Sequence, residues 1–186
     1  MTLSEETSHY YSERRKQFDR YKINTPIGIF GSFYESRKPG LISLKEFLLN
    51  AGYPRISEDL DIRKGKDRQR KDPVVDRELS ERLIAESDIH LFVLVHEREN
   101  EPDNLIQSVS MEIERLHTLN DCGKKSAKYV AVYTETGLVG TMGSVCEGLL
   151  LSKNGDWQVQ EFTDIQEIFK PARQFCMNCI QDIYRF

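Results

Sequence analysis

The chain has 186 residues, 39% hydrophobic and 30% charged, with a formal net charge of −4; that length suits one domain with a sizeable core. No apolar run approaches the roughly 18 residues of a membrane span, and the polar opening "MTLSEETSHYYSERRKQFDRY" does not read as a secretory signal. The acidic balance argues against general nucleic-acid binding, which favours a basic surface.

Residues 1–24 place Tyr10, Tyr11, Phe18 and Tyr21 at approximate helical spacing. They predict a polar N-terminal helix docked on the domain, with a partner-binding arm as the alternative. Residues 25–186 then read as a single α/β domain. "PIGIFGS" is a continuous apolar run, the mark of a strand covered on both faces. "GLISLKEFLLNAGY" follows with Leu41, Leu44, Phe47 and Leu48 at helical spacing, stopped by Asn50 to Gly52. "YPRIS" is a brief strand candidate, "DRELSERLIAESD" the next helix, and "IHLFVLVHE" the strongest strand signal in the chain. "NLIQSVSMEIERLHTLN" reads as helix, "KYVAVYT" as strand, "TMGSVCEGLLLS" as helix and "DWQVQEF" as strand. A long helix from about Asp164 closes the series.

Five strands alternating with helices predict a flavodoxin-like, Rossmann-like three-layer fold: a five-stranded parallel sheet in the order 2-1-3-4-5 with right-handed crossovers. Ligands of such sheets bind beyond the carboxyl ends of the strands, where the strand order reverses. That crevice lies between the first strand and "IHLFVLVHE".

The four cysteines, Cys122, Cys146, Cys176 and Cys179, show no disulfide-framework spacing, and a reduced, cytoplasmic chain is the simplest reading. Cys176 and Cys179 form a lone CxxC deep in a helical segment. Core packing is the first reading, with metal or redox chemistry the alternative.

Gly31 and Ser32, with Phe33 beside them, would stand at the lip of the crevice and offer backbone N–H groups and a hydroxyl to a phosphate or sugar. The same glycine and serine also suit an ordinary turn. The run "DLDIRKGKDRQRKDP" holds Arg63, Lys64, Lys66 and Arg68 and leaves the same end of the sheet. It is either a solvated loop or a lid that closes over an anion. Thr141 and Ser144 open a helix after the fourth strand, as an N-cap or as anion ligands. His96 is the histidine at the ligand end, in a turn or beside a substrate. Glu112 borders the apolar stripe Val109, Ile113 and Leu116, so it should be partly buried, whereas Glu114 falls on another face. A carboxylate in that position serves as nucleophile or base, or is simply a solvated helix residue. The pattern asks for no metal and no cofactor.

Four of these segments resemble the nucleoside 2-deoxyribosyltransferase superfamily, including its deoxynucleoside 5′-monophosphate N-glycosidases. "IFGSFYESRK" resembles that branch's strand and phosphate-side loop, F-C-G-S before a basic turn. "LIAESDIHLFVLVHE" resembles the helix end and strand where an A-D pair precedes an apolar run. "SVSMEIERL" occupies the place of G-x-G-x-E-x-G or G-T-x-x-E-x-G, which puts Glu112 on the catalytic glutamate and Ser108 and Ser110 on the glycines before it. "VAVYTETGLVGTM" resembles the strand, S-G-R and phosphate-binding serine, which puts Thr141 on that serine and Leu138 on the arginine. The family's second acid corresponds to Ser80. The likeness spans residues 26–170. TIR domains, more loosely similar, share the sheet order and place a glutamate on the equivalent helix.

The resemblance implies an enzyme cleaving an N-glycosidic bond of a nucleotide or nucleoside, as a hydrolase or in the manner of a deoxyribosyltransferase. Glu112 would be catalytic, and Gly31, Ser32, Phe33, His96, Ser108, Thr141 and Ser144 would bind substrate. A homo-oligomer, a homodimer first, is expected with it. Ser80 favours the alternative of a non-catalytic nucleotide sensor. An interaction protein with no ligand is the third reading.

Overall fold

A computed structural model of the chain describes residues 3–31, 38–57, 73–96, 105–124, 128–138 and 157–185. The apolar runs form strands β1 (Ile27–Gly31), β2 (Ile56–Ser57), β3 (Ile89–Leu94), β4 (Val130–Glu135) and β5 (Gln158–Phe162). They lie in the order β2-β1-β3-β4-β5, with every neighbouring pair parallel, as the alternating pattern predicts. Of "YPRIS", only Ile56 and Ser57 pair, against Ile27 and Gly28. The expected helix over "TMGSVCEGLLLS" lies outside the described residues.

The helices are α1 (Leu3–Asn24), α2 (Lys38–Asn50), α3 (Pro73–Glu86), α4 (Leu105–Asp121) and α5 (Phe169–Ile183). The C-terminal helix starts as a 3-10 turn, Ile165–Ile168, before α5 proper. Asp164 opens that turn by accepting from the Gln166 N–H at 2.9 Å, while Glu167 accepts from the Thr163 N–H at 3.1 Å. Two donors that a helix start leaves unsatisfied are thereby used. Pro171 is tolerated because it falls in the first turn of α5, where a missing N–H breaks no intrahelical bond. At the other end of an element, Gly52 stops α2. With φ of 88°, it lets its own N–H reach the Leu49 carbonyl at 2.9 Å and the Tyr53 N–H reach the Leu48 carbonyl at 3.1 Å.

Alternate strand residues point to opposite faces, and the core divides accordingly. Ile27, Ile29, Leu91, Val93 and Tyr133 meet Leu41, Leu44 and Leu48 of α2 and Ala172, Cys176 and Ile180 of α5. On the other face, Phe30, Phe92, Leu94, Val130 and Val132 meet Leu83 and Ile84 of α3 and Val109, Ile113 and Leu116 of α4. Helices cover both faces, which is why every residue of β3 is buried. Since β1 leads to α2 on one face and β3 leads to α4 on the other, the strand order reverses between β1 and β3.

Cys176 and Cys179 are buried in α5 against the sheet, as the core reading expects. Burial pushes both thiols well above the ordinary value, Cys179 to about 12. Neither is a thiolate at neutral pH, so neither is poised for redox or ligand chemistry. Among the described residues, no three His, Cys, Asp or Glu side chains gather as a metal site requires. No described helix is long and apolar enough to cross a membrane.

The second half of α1 docks on the domain. Phe18 and Tyr21 pack against the core layer that holds α5, and α1 itself contacts α5. Tyr21 stacks on Tyr184, with ring centroids 3.9 Å apart and planes 4° from parallel. Lys22 lies over the Tyr53 ring at 4.5 Å and donates to the Ala51 carbonyl, and burial lowers its pKa. Arg55 Nη1 ties the helix end by donating to the Asn24 carbonyl at 2.8 Å. From residue 7 to residue 17, by contrast, every side chain is exposed.

Candidate functional site

At the carboxyl end of β1, Gly31 stands opposite Val93 of β3 and is half-buried. A Cβ on it would come 2.9 Å from Leu41 Cδ1 and 3.1 Å from the Val93 carbonyl oxygen. A side chain here would therefore make Leu41 and the end of β3 give way slightly, a packing reason for glycine that stands beside the ligand reason. Ser32, Phe33, Arg63, Lys64, Lys66, Arg68, Thr141 and Ser144 lie outside the described residues. Ser108 belongs to the first turn of α4, and its side chain lies outside the description as well.

His96 follows β3 by two residues and is half-buried. Its backbone N–H donates to Glu135 Oε2 at 2.7 Å, and its ring Nε2 sits 3.0 Å from the Thr136 carbonyl oxygen. That second contact is a hydrogen bond when Nε2 carries the proton, because a carbonyl only accepts. Both partners belong to the exit from β4, where the Leu138 N–H closes a turn onto the Glu135 carbonyl at 3.0 Å. His96 thus fastens the end of β3 to the end of β4. The turn also delivers Leu138 into the core beside α3 and α4, where it is fully buried. Leu138 is thus an apolar core residue at the turn after β4.

Glu112 rides on α4, which packs over both β3 and β1. Its helix therefore covers the seam where the strand order reverses. Val109, Ile113 and Leu116 face the sheet, and Met111 and Glu114 face water. Glu112 lies between these sides, half-buried as its helical phase predicts, and is turned toward α3. There Ser80 Oγ donates to Glu112 Oε1 at 2.6 Å. That length is typical of a hydroxyl bonded to a charged carboxylate. Ser80 reaches α4 because it precedes Leu83 and Ile84 by three and four residues, on the face of α3 that packs inward.

A more exposed set of charges runs alongside. Glu81 accepts from Arg77 Nε at 3.1 Å and lies 3.9 Å from Arg115 Nε of α4. Such water-facing pairs contribute little to stability. The Ser80–Glu112 bond is the better shielded link between the two helices.

Of the predicted site residues, the structure thus brings Glu112 against Ser80, the residue matched to the family's second acid, and ties His96 to the β4 exit. Two residues at that exit escaped the sequence reading. Glu135 is the first carboxylate after the apolar run of β4, a signal that was present but not distinctive. Thr134, beside Leu94, is fully buried, and its hydroxyl finds no hydrogen-bond partner among the described residues. No sequence signal marks it. Comparisons of the chain with protein-family models, with curated proteins and with solved structures found no match.

Proposed function

We propose that the chain acts on the N-glycosidic bond of a nucleotide or nucleoside, with Glu112 as its reactive carboxylate. The observation that supports this most is the 2.6 Å bond from Ser80 to Glu112. Positions 80 and 112 are 32 residues apart, and the resemblance assigns them to the two acids of one site. They meet. The bond holds a half-buried carboxylate on the helix that packs over β1 and β3. In the reaction, a Glu112 oxygen attacks the anomeric carbon as the carbon–nitrogen bond to the base breaks. Water then cleaves the glycosyl ester, returning the carboxylate and leaving a hydroxyl on the sugar. Ser32, Thr141 and Ser144 hold the phosphate or sugar in this reading, and the basic loop from Arg63 to Arg68 closes over them.

A second reading is a sensor that binds a nucleotide without turnover. Ser80 in place of an acid and Leu138 sunk in the core favour it, since each removes a charged group from the site. One experiment separates the two readings. The protein is incubated with a panel of nucleoside monophosphates, nucleosides and NAD, and free base and melting temperature are followed together. Base release supports the enzyme, and a thermal shift without release supports the sensor. Neither signal across the panel rejects both.

A further inference from the structure

We infer that the projecting half of α1 is a docking surface for the same segment of a second copy of this chain, packed antiparallel across a two-fold axis at Tyr10. The surface is unusual in its local physics. Every side chain from residue 7 to residue 17 is exposed, with Tyr10 at 54% and Tyr11 at 66%. Its aromatics are not scattered. On a helical wheel, Tyr10 and Tyr11 flank the stripe that Phe18 and Tyr21 use to dock on the domain, so the docking face runs on past the domain's edge. The two rings meet edge to face, 5.8 Å between centroids, and present a joint apolar patch.

The charges around that patch name its occupant. Positions 6, 10 and 14 form one ridge, spaced i, i+4, i+8, and it reads Glu6, Tyr10, Arg14. Acid, aromatic, base is its own complement when reversed. A second copy running antiparallel sets the charge of Glu6 against that of Arg14, sets Tyr10 on Tyr10, and repeats the first contact by symmetry. The guanidinium of Arg14 already lies over its own Tyr10 ring at 5.3 Å, so cation and aromatic are held as one unit. The wider segment follows the same polarity: Glu5, Glu6 and Glu13 precede Arg14, Arg15 and Lys16. A tyrosine centre within a charged rim is the ordinary anatomy of a protein interface, and self-complementarity is what a two-fold contact requires. An acidic partner or an anionic membrane would answer the basic half alone and leave the acidic half opposed.

The test is a charge exchange at positions 6 and 14, read by light scattering and sedimentation from sub-micromolar to about 100 μM, a range that covers common transient dimers. The parent is expected to move from its 21.7 kDa mass toward twice that value. Glu6→Arg and Arg14→Glu should each weaken association about tenfold or more, and the double exchange should restore it to within about threefold of the parent. Tyr10→Ala should abolish it. Melting at sub-micromolar protein, where the parent is monomeric and association adds no stability, serves as the control and should not move in any variant. A parent that stays at 21.7 kDa throughout, or a dimer indifferent to both single reversals, overturns the proposal. A double exchange that stays monomeric overturns the antiparallel register.

Discussion

Replacing Glu112 by glutamine keeps the side chain's shape and its capacity to accept from Ser80, but removes the negative charge. If Glu112 is the attacking group, base release should fall by about three orders of magnitude or more, with nucleotide affinity within about tenfold, or about 1.4 kcal/mol. Glu114→Gln is the matched control because Glu114 faces water, and it should leave the rate unchanged. Equal rates for both variants would remove Glu112 from the chemistry. Ser80→Asp tests the contact itself. A carboxylate placed within hydrogen-bond reach of another cannot ionise fully beside it, so one of the pair takes a raised pKa in the folded state. A raised carboxyl pKa stabilises the fold below the unfolded value, and that contribution is lost as pH rises through the folded value. The variant should therefore rival the parent near pH 4 and fall behind by pH 7, a window set by ordinary carboxyl pKa values of about 4. Urea midpoints at the two pH values are the measurement. A deficit that does not change with pH contradicts the contact.

Among the elements, the seat of α3 on the sheet depends on Gly28. A Cβ there would lie 2.5 Å from Ser87 Oγ and 2.6 Å from the Phe30 ring, and the ring is locked against Phe92 and His90. Gly28→Ala should thus cost about 1–3 kcal/mol by overpacking, read as a lower urea midpoint with an unchanged slope. A neutral outcome would show that the strand and α3 can part by a few tenths of an ångström. The strands were legible in the sequence for a simple reason. A parallel strand buried on both faces needs an apolar residue at nearly every position, so "IGIFG", "IHLFVL" and "VAVYTE" announce themselves. The end of α2 was legible in Gly52, and so was the half-buried phase of Glu112 on α4. The bond from Ser80 to Glu112 was not, because helical phase tells which face a residue occupies but not which helix it will meet. The sequence gives no sign that Leu138 is buried, because that depends on how the turn after β4 folds back. The sequence leaves His96 between a turn and a substrate contact, and its bonds to Glu135 and Thr136 exist only once β3 and β4 lie side by side.

For the molecule as a whole, the buried layer beneath α5 sets an alkaline limit to stability. Tyr53, Tyr133, Cys176 and Cys179 lie there, and burial raises the pKa of each. In the unfolded chain the thiols ionise from about 9.0 and the phenols from about 10.0. Groups whose folded pKa is raised stabilise the fold below the unfolded value, and that contribution is lost as pH rises through the folded value. Melting temperature should accordingly hold steady up to about pH 8 and fall above about pH 9, in line with ordinary thiol titration. Cys176→Ala with Cys179→Ala should flatten that fall, although it lowers stability at neutral pH through the space it opens. A parent that melts at the same temperature at pH 8 and pH 10 would contradict the account.

The clasp between α1 and α5 has a consequence in time as well as in space. Thr25 and Tyr184, linked through their hydroxyls at 3.4 Å, are 159 residues apart in the chain. A ribosome therefore releases α1 long before the surface that receives it exists. At about 5–20 residues per second, the wait lasts roughly 8–30 s. During that interval Phe18 and Tyr21 have no domain to cover them, and a strongly apolar helix would invite aggregation. The dense charge of α1 is what a segment that must stay in water through most of translation requires.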